Sequence, residues 1–442
     1  MMKAVSAFMR ALYLGFTEPF RNGHAAAERG DASAQNSLGM LYLNGRSERD
    51  DEQAVGWFRK AAVQGHAYAQ NNLGVMYANG RGVEQNDAEA VRWYRKAADQ
   101  GNALAQSNLG EMYINGRGVA RDDAQAVAWF RKAADQGLAV GQYNLGVVCA
   151  DGVAVARDDA QAVSWYRKAA DQGLAAAQAN LGVMYENGRG IARDDAQAIA
   201  WYRKAIEQGF AGAQNNLGVM FLDGRGVARD DAQALAWFRK AADQGDAQAK
   251  NNIGVMYEKG RCVEQDYAQA VVWYRKAADQ GYAQSQSNLG TMYAKGRGAA
   301  QDDAQAIAWY RKAADQGLAV GQYNLGFMYA SGRGVAQDDA QAVAWYRKSA
   351  DQGFAAAQNN LGEMHRNGLG VAQDYAEAAV WYRKAADQGF AQAQSNLGML
   401  CRDGLGVAQD RTEAVSWYRK AADQGDADAQ QALREMEAGT IR

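Results

Sequence analysis

Residues Asn102 to Gly137 read NALAQSNLGEMYINGRGVARDDAQAVAWFRKAADQG, and this stretch decides the fold. Its first half sets Ala105, Leu109, Met112 and Tyr113 on one stripe at helical spacing. Gly116 follows where a helix would close, a C-cap position at which glycine adopts the left-handed conformation most easily. The loop from Arg117 to Arg121 leads into Asp122, which predicts an N-cap, and Gln125 three residues on completes a capping box. The second half, Asp123 to Gln136, carries Ala124, Val127, Trp129, Phe130, Ala133 and Ala134 and stops at Gly137. Acid at its start and Arg131-Lys132 near its end both suit the helix dipole. The stretch therefore predicts helix, loop, helix and glycine turn.

Reading outward, the same unit recurs. All 11 tryptophans fall 36 residues apart, from Trp57 through Trp129 and Trp237 to Trp417. A fixed period of this length marks a solenoid of stacked repeats. The counterpart of Asp122 is Asp or Asn in every unit, from Asp50 and Asn86 to Asp410, and the first loop is one residue short. The single proline, Pro19, lies outside the array, so glycine ends the helices. A helix pair buries little alone, and stacking creates the core. The tryptophan column is expected to be that core, with Gly110 and its equivalents giving a flat patch for close helix approach. The predicted fold is all-α: an α/α superhelical solenoid of about eleven 36-residue helix–loop–helix repeats with capping helices. Its expected divisions are a leader and degenerate capping helix at 1–29, eleven tandem repeats at 30–426, and a capping helix and tail at 427–442. A second period overlies the first. GLAVGQYNLG occurs at 137–146 and 317–326, and VEQ and GFA recur with the same offset of five units. A five-unit block at about 65–244 thus reads as duplicated into 245–424.

Composition narrows the function. A formal net charge of −2, from 48 basic and 50 acidic residues, gives no pull toward nucleic acid. Cys149, Cys262 and Cys401 form no CxxC pair, which argues against a disulfide framework or a metal site, and Cys149 and Cys401 fill a slot that is usually Tyr. No apolar run reaches the length of about eighteen residues that membrane insertion needs. Met1 to Phe16 is apolar but interrupted by Arg10, so a capping helix is expected before a cleaved signal. Cytoplasmic placement is the first expectation; secretion or a periplasmic location follows if that segment is a signal peptide.

Catalysis requires converging polar groups. His24, His66 and His365 lie far apart in the chain, and His365 fills a Tyr slot. Pairs such as Asp122-Asp123 recur at helix starts and read as caps. The GRG of the loops lacks the strand and lysine of a phosphate-binding loop. The chain is expected to be no enzyme and to hold no cofactor and no metal.

A binding surface is the remaining expectation. In the unit at 66–101 the columns of Tyr68, Asn71, Val75, Ala78 and Asn79 vary between repeats, and at about 100° per residue they share one arc. Ala69, Leu73, Met76 and Tyr77 occupy the other side. The varying columns include Glu111, Phe327 and Glu363 in one and Tyr143 and Tyr323 in another. Charged helix ends, Glu258-Lys259, Lys295, Arg366 and Arg402, gather toward the C-terminal half. Beside the arc runs an asparagine row: Asn72, Asn108, Asn144, Asn180, Asn216, Asn252, Asn288, Asn324, Asn360 and Asn396. Such amides either clamp the backbone of an extended ligand or bind the neighbouring repeat and order the stack. The candidate ligand-binding residues are the row from Asn108 to Asn360 with Glu111, Tyr143, Tyr323, Phe327 and Glu363, and the expected partner is a protein or peptide.

The pattern AxAQxNLGxMYxxGxGV followed by DxAxAxxWYRKAAxQG resembles the Sel-1-like repeat, a relative of the tetratricopeptide repeat with a longer interhelical loop. The resemblance covers roughly 30–438. It implies an α/α superhelix whose first helices line a concave face, and a role as an adaptor that assembles complexes. Many bacterial members act in envelope, signalling or host-contact settings, so an exported interaction protein of the same fold is the alternative. A cysteine-rich branch is linked to penicillin binding and β-lactamase activity. Its cysteine pair per repeat is missing here, which sets that hydrolase alternative last.

Overall fold

The computed structural model describes residues 24–43 and 48–437. Within them the chain is a succession of paired helices, and among the described residues there is no β-strand. The unit at Asn102 to Gly137 is representative, with a first helix at Ala103–Asn115 and a second at Asp123–Asp135. Asn102 caps the first helix by accepting from the Ala105 amide, and Gly116 closes it at φ 63°. Asp122 caps the second by accepting from the Gln125 amide at 2.9 Å. The reciprocal half of the expected capping box does not form. The Asp122 amide instead donates to the Tyr113 carbonyl at 3.1 Å, tying the loop back to the first helix. Asp50 also departs from expectation: in the unit with the short loop it lies inside helix Glu48–Val63 rather than at a cap.

The described residues fall into two compact units, one running up to Met220 with Gly224–Ala228, the other formed by Phe221–Asp223 and the residues from Arg229 onward. The N-terminal leader reading falls on 1–23, outside the described residues. In both units first helices pack on their own second helices, and second helices on the next first helix, as Ala103–Asn115 does on Asp123–Asp135 and Asp123–Asp135 on Ala139–Asp151. First helices also touch each other, as Ala103–Asn115 does Ala139–Asp151 and Ala283–Lys295 does Ala319–Ser331.

The core differs from the expected tryptophan column. The fully buried ring is the next residue: Phe58, Phe130, Tyr202, Tyr274 and Tyr346 are all at 2% exposure or less. Each lies against the glycine of its own first helix. A Cβ on Gly110 would stand 2.6 Å from the Phe130 ring, so this glycine is required by contact. Most tryptophans are half-buried and lean on a cluster shared with the preceding repeat, as Trp93 does on the one that joins Val55 and Phe58 of that repeat to Leu73 and Met76 of its own. The lysine three positions later covers the exposed indole face, with Lys132 Nζ 3.8 Å from the Trp129 ring centre. Most tryptophans therefore join repeats at the edge of the core, and Trp309, Trp381 and Trp417 are buried in it. Ala124 is exposed, and Ala126 takes the buried position of its turn.

Two polar ladders join successive repeats. Buried Gln106 donates to the Ala98 carbonyl at 3.2 Å and accepts from Gln136 at 2.7 Å, which satisfies a helix-end carbonyl at a repeat junction. The arrangement recurs at Gln142 with Gln172 and at Gln286 with Gln316. At Lys250 its polarity reverses, the ammonium donating to Gln280 Oε1 at 2.9 Å. The second ladder runs through the loops, where Arg117 pairs with Asp87 at 2.6 Å and Arg333 with Asp303 at 2.6 Å. In most loops a middle glycine crosses the preceding second helix. A Cβ on Gly118 would come within 2.2 Å of the Asp87 backbone. Ala154 and Cys262 occupy that slot with φ of 54° and 53°, a conformation that costs a side chain about 1–2 kcal/mol.

Candidate ligand-facing surface

The five varying columns do not all face water. Asn71 and Ala78 are buried, whereas Tyr68 is 60% exposed and Asn79 is exposed. The Asn71 column points at the neighbouring first helix because adjacent first helices are in contact, and there it meets the asparagine row. Asn108 Nδ2 donates to Asn71 Oδ1 at 2.9 Å, Asn144 to Ser107 Oγ at 3.3 Å, and Asn288 to Asn251 Oδ1 at 3.0 Å. Asn324 reaches Ser287 Oγ at 3.4 Å, and Asn396 reaches Asn359 Oδ1 at 3.0 Å. Where the partner column carries tyrosine, the amide stands near hydroxyls instead, Asn180 near those of Tyr143 and Tyr166 and Asn360 near those of Tyr323 and Tyr346, and favours their ionised forms. Asn216 accepts from Asn215 at 3.4 Å and stands near the Tyr202 hydroxyl, which donates to Glu186. Asn252 is half-buried on Ala247–Lys259. The row thus makes side-chain bonds from one repeat to the next.

The solvent-exposed positions of the first helices include several large apolar side chains. Met40, Tyr68, Leu104, Val140 and Phe327 are each more than a third exposed. Tyr143 and Tyr323 are half-buried, their rings 5.9 Å from Tyr166 and 5.8 Å from Tyr346, and burial raises both phenol pKa values. Glu111 is exposed and accepts from Asn144 at 3.1 Å; Glu363 accepts from Asn359 at 3.2 Å.

Two cavities open on this face in the C-terminal unit. One of about 370 Å³ lies among Thr291, Ala294, Val320, Tyr323 and Phe327, with Lys295 at its edge. The other, of about 440 Å³, is polar and lined by Glu363, Arg366, Asn396, Met399, Arg402 and Tyr418. Arg366 donates weakly to Asn396 at 3.4 Å, and Arg402 is held by Asp403 at 2.7 Å. The candidate residues therefore split between repeat junctions and an exposed apolar stripe. Reading from sequence missed the glutamine ladder, although the Gln136 column is constant and the Gln106 column is broken only by Lys250; Gln at a helix surface gave no hint that Gln106 is 4% exposed.

The other chemistry-bearing residues have structural surroundings. Cys149 and Cys401 are buried, and burial pushes the Cys401 thiol up to about 11. His365 is buried beside Arg347 at 3.1 Å. Among the described residues no group of three or more His, Cys, Asp or Glu side chains could hold a metal, and no helix is long and apolar enough to cross a membrane.

Eleven consecutive segments, from 32–66 through 391–426, match the Sel1 repeat model. The chain belongs to the Sel1 repeat family. Among solved structures this Sel1 repeat protein is similar to a protective antigen present in uropathogenic Escherichia coli strains displaying an SLR fold. The two share 40% identity over 96% of this chain and 91% of that one, at a TM-score of 0.57. It is also similar to a Sel1 repeat protein from Oxalobacter formigenes, with 37% identity over 69% of this chain and 88% of that one, and a TM-score of 0.48. No curated protein matches the sequence.

Proposed function

We propose that this chain is a non-catalytic scaffold that binds a peptide or a partner-protein segment along the exposed face of its first helices. The observation that carries this reading is the confinement of Tyr68, Leu104, Val140 and Phe327 to that face, each more than a third exposed on a framework whose other large side chains are mostly covered. A repeated row of apolar anchors suits an extended or helical segment. The asparagine row keeps a ligand role only through whatever bonding capacity its contacts between repeats leave free. The test is affinity capture with the full chain, with a Leu104→Ser, Val140→Ser and Phe327→Ser variant, and with an outer-face variant carrying Val272→Ser and Val380→Ser. A partner lost from the first variant and kept by the second supports the reading, and the reverse pattern overturns it.

A second reading is favoured by the likeness to a protective antigen. In it the same scaffold is exported and meets an envelope or host partner. Sequencing the N-terminus of the mature protein tests it, since export by a cleaved signal removes the leader.

A further inference from the structure

The five-unit duplication gives this protein two versions of one surface element, and they have diverged where they face water. In the later version the cavity of about 370 Å³ lies between Ala283–Lys295 and Ala319–Ser331. Tyr310 forms part of its lining and shares a hydrogen bond with Thr291 at 3.1 Å. Tyr323 is fixed by ring contacts to Tyr346 and to Phe354, at 5.8 and 5.3 Å. Phe327 stands 42% exposed at the margin. Two cations border the cavity. Arg333 is engaged by Asp303 at 2.6 Å and by the Ala294 carbonyl at 2.8 Å. Lys295 is exposed in the last turn of its helix, and among the described residues no carboxylate pairs with it.

In the earlier version, 180 residues before, Glu111 stands in place of Thr291, Ile114 in place of Ala294, Asn115 in place of Lys295 and Val147 in place of Phe327. Ile114 is the larger side chain at the position of Ala294, Val153 stands in place of Arg333, and the charge without a salt-bridge partner changes from the Lys295 ammonium to the Glu111 carboxylate. An apolar hole beside an unpaired ammonium is complementary to an apolar side chain beside an anion. We propose that the Ala294–Phe327 cavity seats an apolar side chain of a partner peptide whose adjoining residue is Asp or Glu, the carboxylate meeting Lys295. This rests on the reading of the first-helix face as the binding surface.

The probe is a display library of random peptides of about twelve residues, selected on the full chain. Enriched peptides are then measured against three variants: Ala294→Ile with Lys295→Asn, Lys295→Glu, and Phe327→Arg. The first carries residues that this chain already folds with at 114 and 115, and thermal unfolding of each variant checks its fold. Enrichment of an apolar–acidic pair, weakened about tenfold by the first variant, with preference switched to apolar–basic by Lys295→Glu, is the expected result. Peptides that lose binding with Phe327→Arg yet show no acidic preference overturn this proposal and leave the surface reading standing. Peptides indifferent to every first-helix substitution overturn both.

Discussion

The sequence GLAVGQYNLG occupies 137–146 and 317–326, and in both places it builds the same structure. Gly146 and Gly326 face the rings of Tyr166 and Tyr346, with Cβ positions 2.7 and 2.8 Å from the nearest ring carbon. Gln142 and Gln322 accept from Gln172 and Gln352 at 2.8 Å each. Around this constant centre the two regions part. Asp159 is held by Arg157 and Arg189, whereas its equivalent Asp339 meets Gln337, with Leu369 where the second arginine would stand. Tyr185 meets Arg167, and its equivalent His365 meets Arg347. What the repeat must touch internally has stayed the same, and the loops, the rim and the exposed stripe have changed.

The largest expected effect tests the constant centre. Tyr166→Ala and Tyr346→Ala each remove a fully or nearly fully buried ring, 3% and 2% exposed, which typically costs about 3–5 kcal/mol. Trp165→Ala, one residue away, removes a half-buried ring and should cost distinctly less. Urea unfolding measures all three. Equal losses for the two tyrosines support one shared scaffold, and a larger loss at Trp165 would return the tryptophan column to the centre of the core. Each unfolding curve should broaden or split, because stability in a repeat array is carried by neighbouring interfaces.

The centre was the legible part. Period, caps and glycine turns follow from residues such as Gly116 and Asp122, whose backbone roles are local and leave a mark in every unit. Burial order was less legible. Trp129 and Phe130 are adjacent and both aromatic, and only packing against Gly110 makes Phe130 the inner one. The site was least legible. Variation at Asn71 looked like surface variation, yet Asn71, Ser107 and Asn251 are buried acceptors for the next repeat's amide. A column can vary because water tolerates change, or because its partner accepts several acceptors. Sequence periodicity does not distinguish these cases.

A smaller effect sharpens the difference in the loops. Arg189 and Arg157 hold the Asp159 carboxyl down to about 2. Its folded value lies below the unfolded one, so this pair's stability is present above about pH 4 and is lost as pH falls through about 2. Arg189→Leu, which copies Leu369, should reduce the loss of stability between pH 4 and 2. Arg333→Leu, which leaves Asp159 and its partners in place, should leave that part of the acid profile unchanged. Acid unfolding followed by circular dichroism reads both, and a profile unaffected by Arg189→Leu would show that the bridge contributes nothing measurable at this exposure.

The smallest effect belongs to His365. Its ring is 5% exposed, and burial lowers its pKa below the ordinary value. Nδ1 has no partner among the described residues, and Nε2 lies 3.1 Å from the Arg347 guanidinium. A charged donor at that distance requires the neutral ring as acceptor, and the same arginine would repel an imidazolium. The folded state therefore binds the proton less readily than the unfolded state. The associated stability is present above about pH 6.5 and declines as pH falls through the unfolded value toward the lower folded one. His365→Tyr restores the residue found at Tyr185, whose hydroxyl takes the Arg167 guanidinium at 2.5 Å, and removes the imidazole. Denaturant midpoints at pH 7.5 and pH 5 should thus differ more for the native chain than for the variant. Proton resonances of the imidazole give the direct reading, and titration at or above the ordinary histidine value would mean that the ring is solvated rather than enclosed.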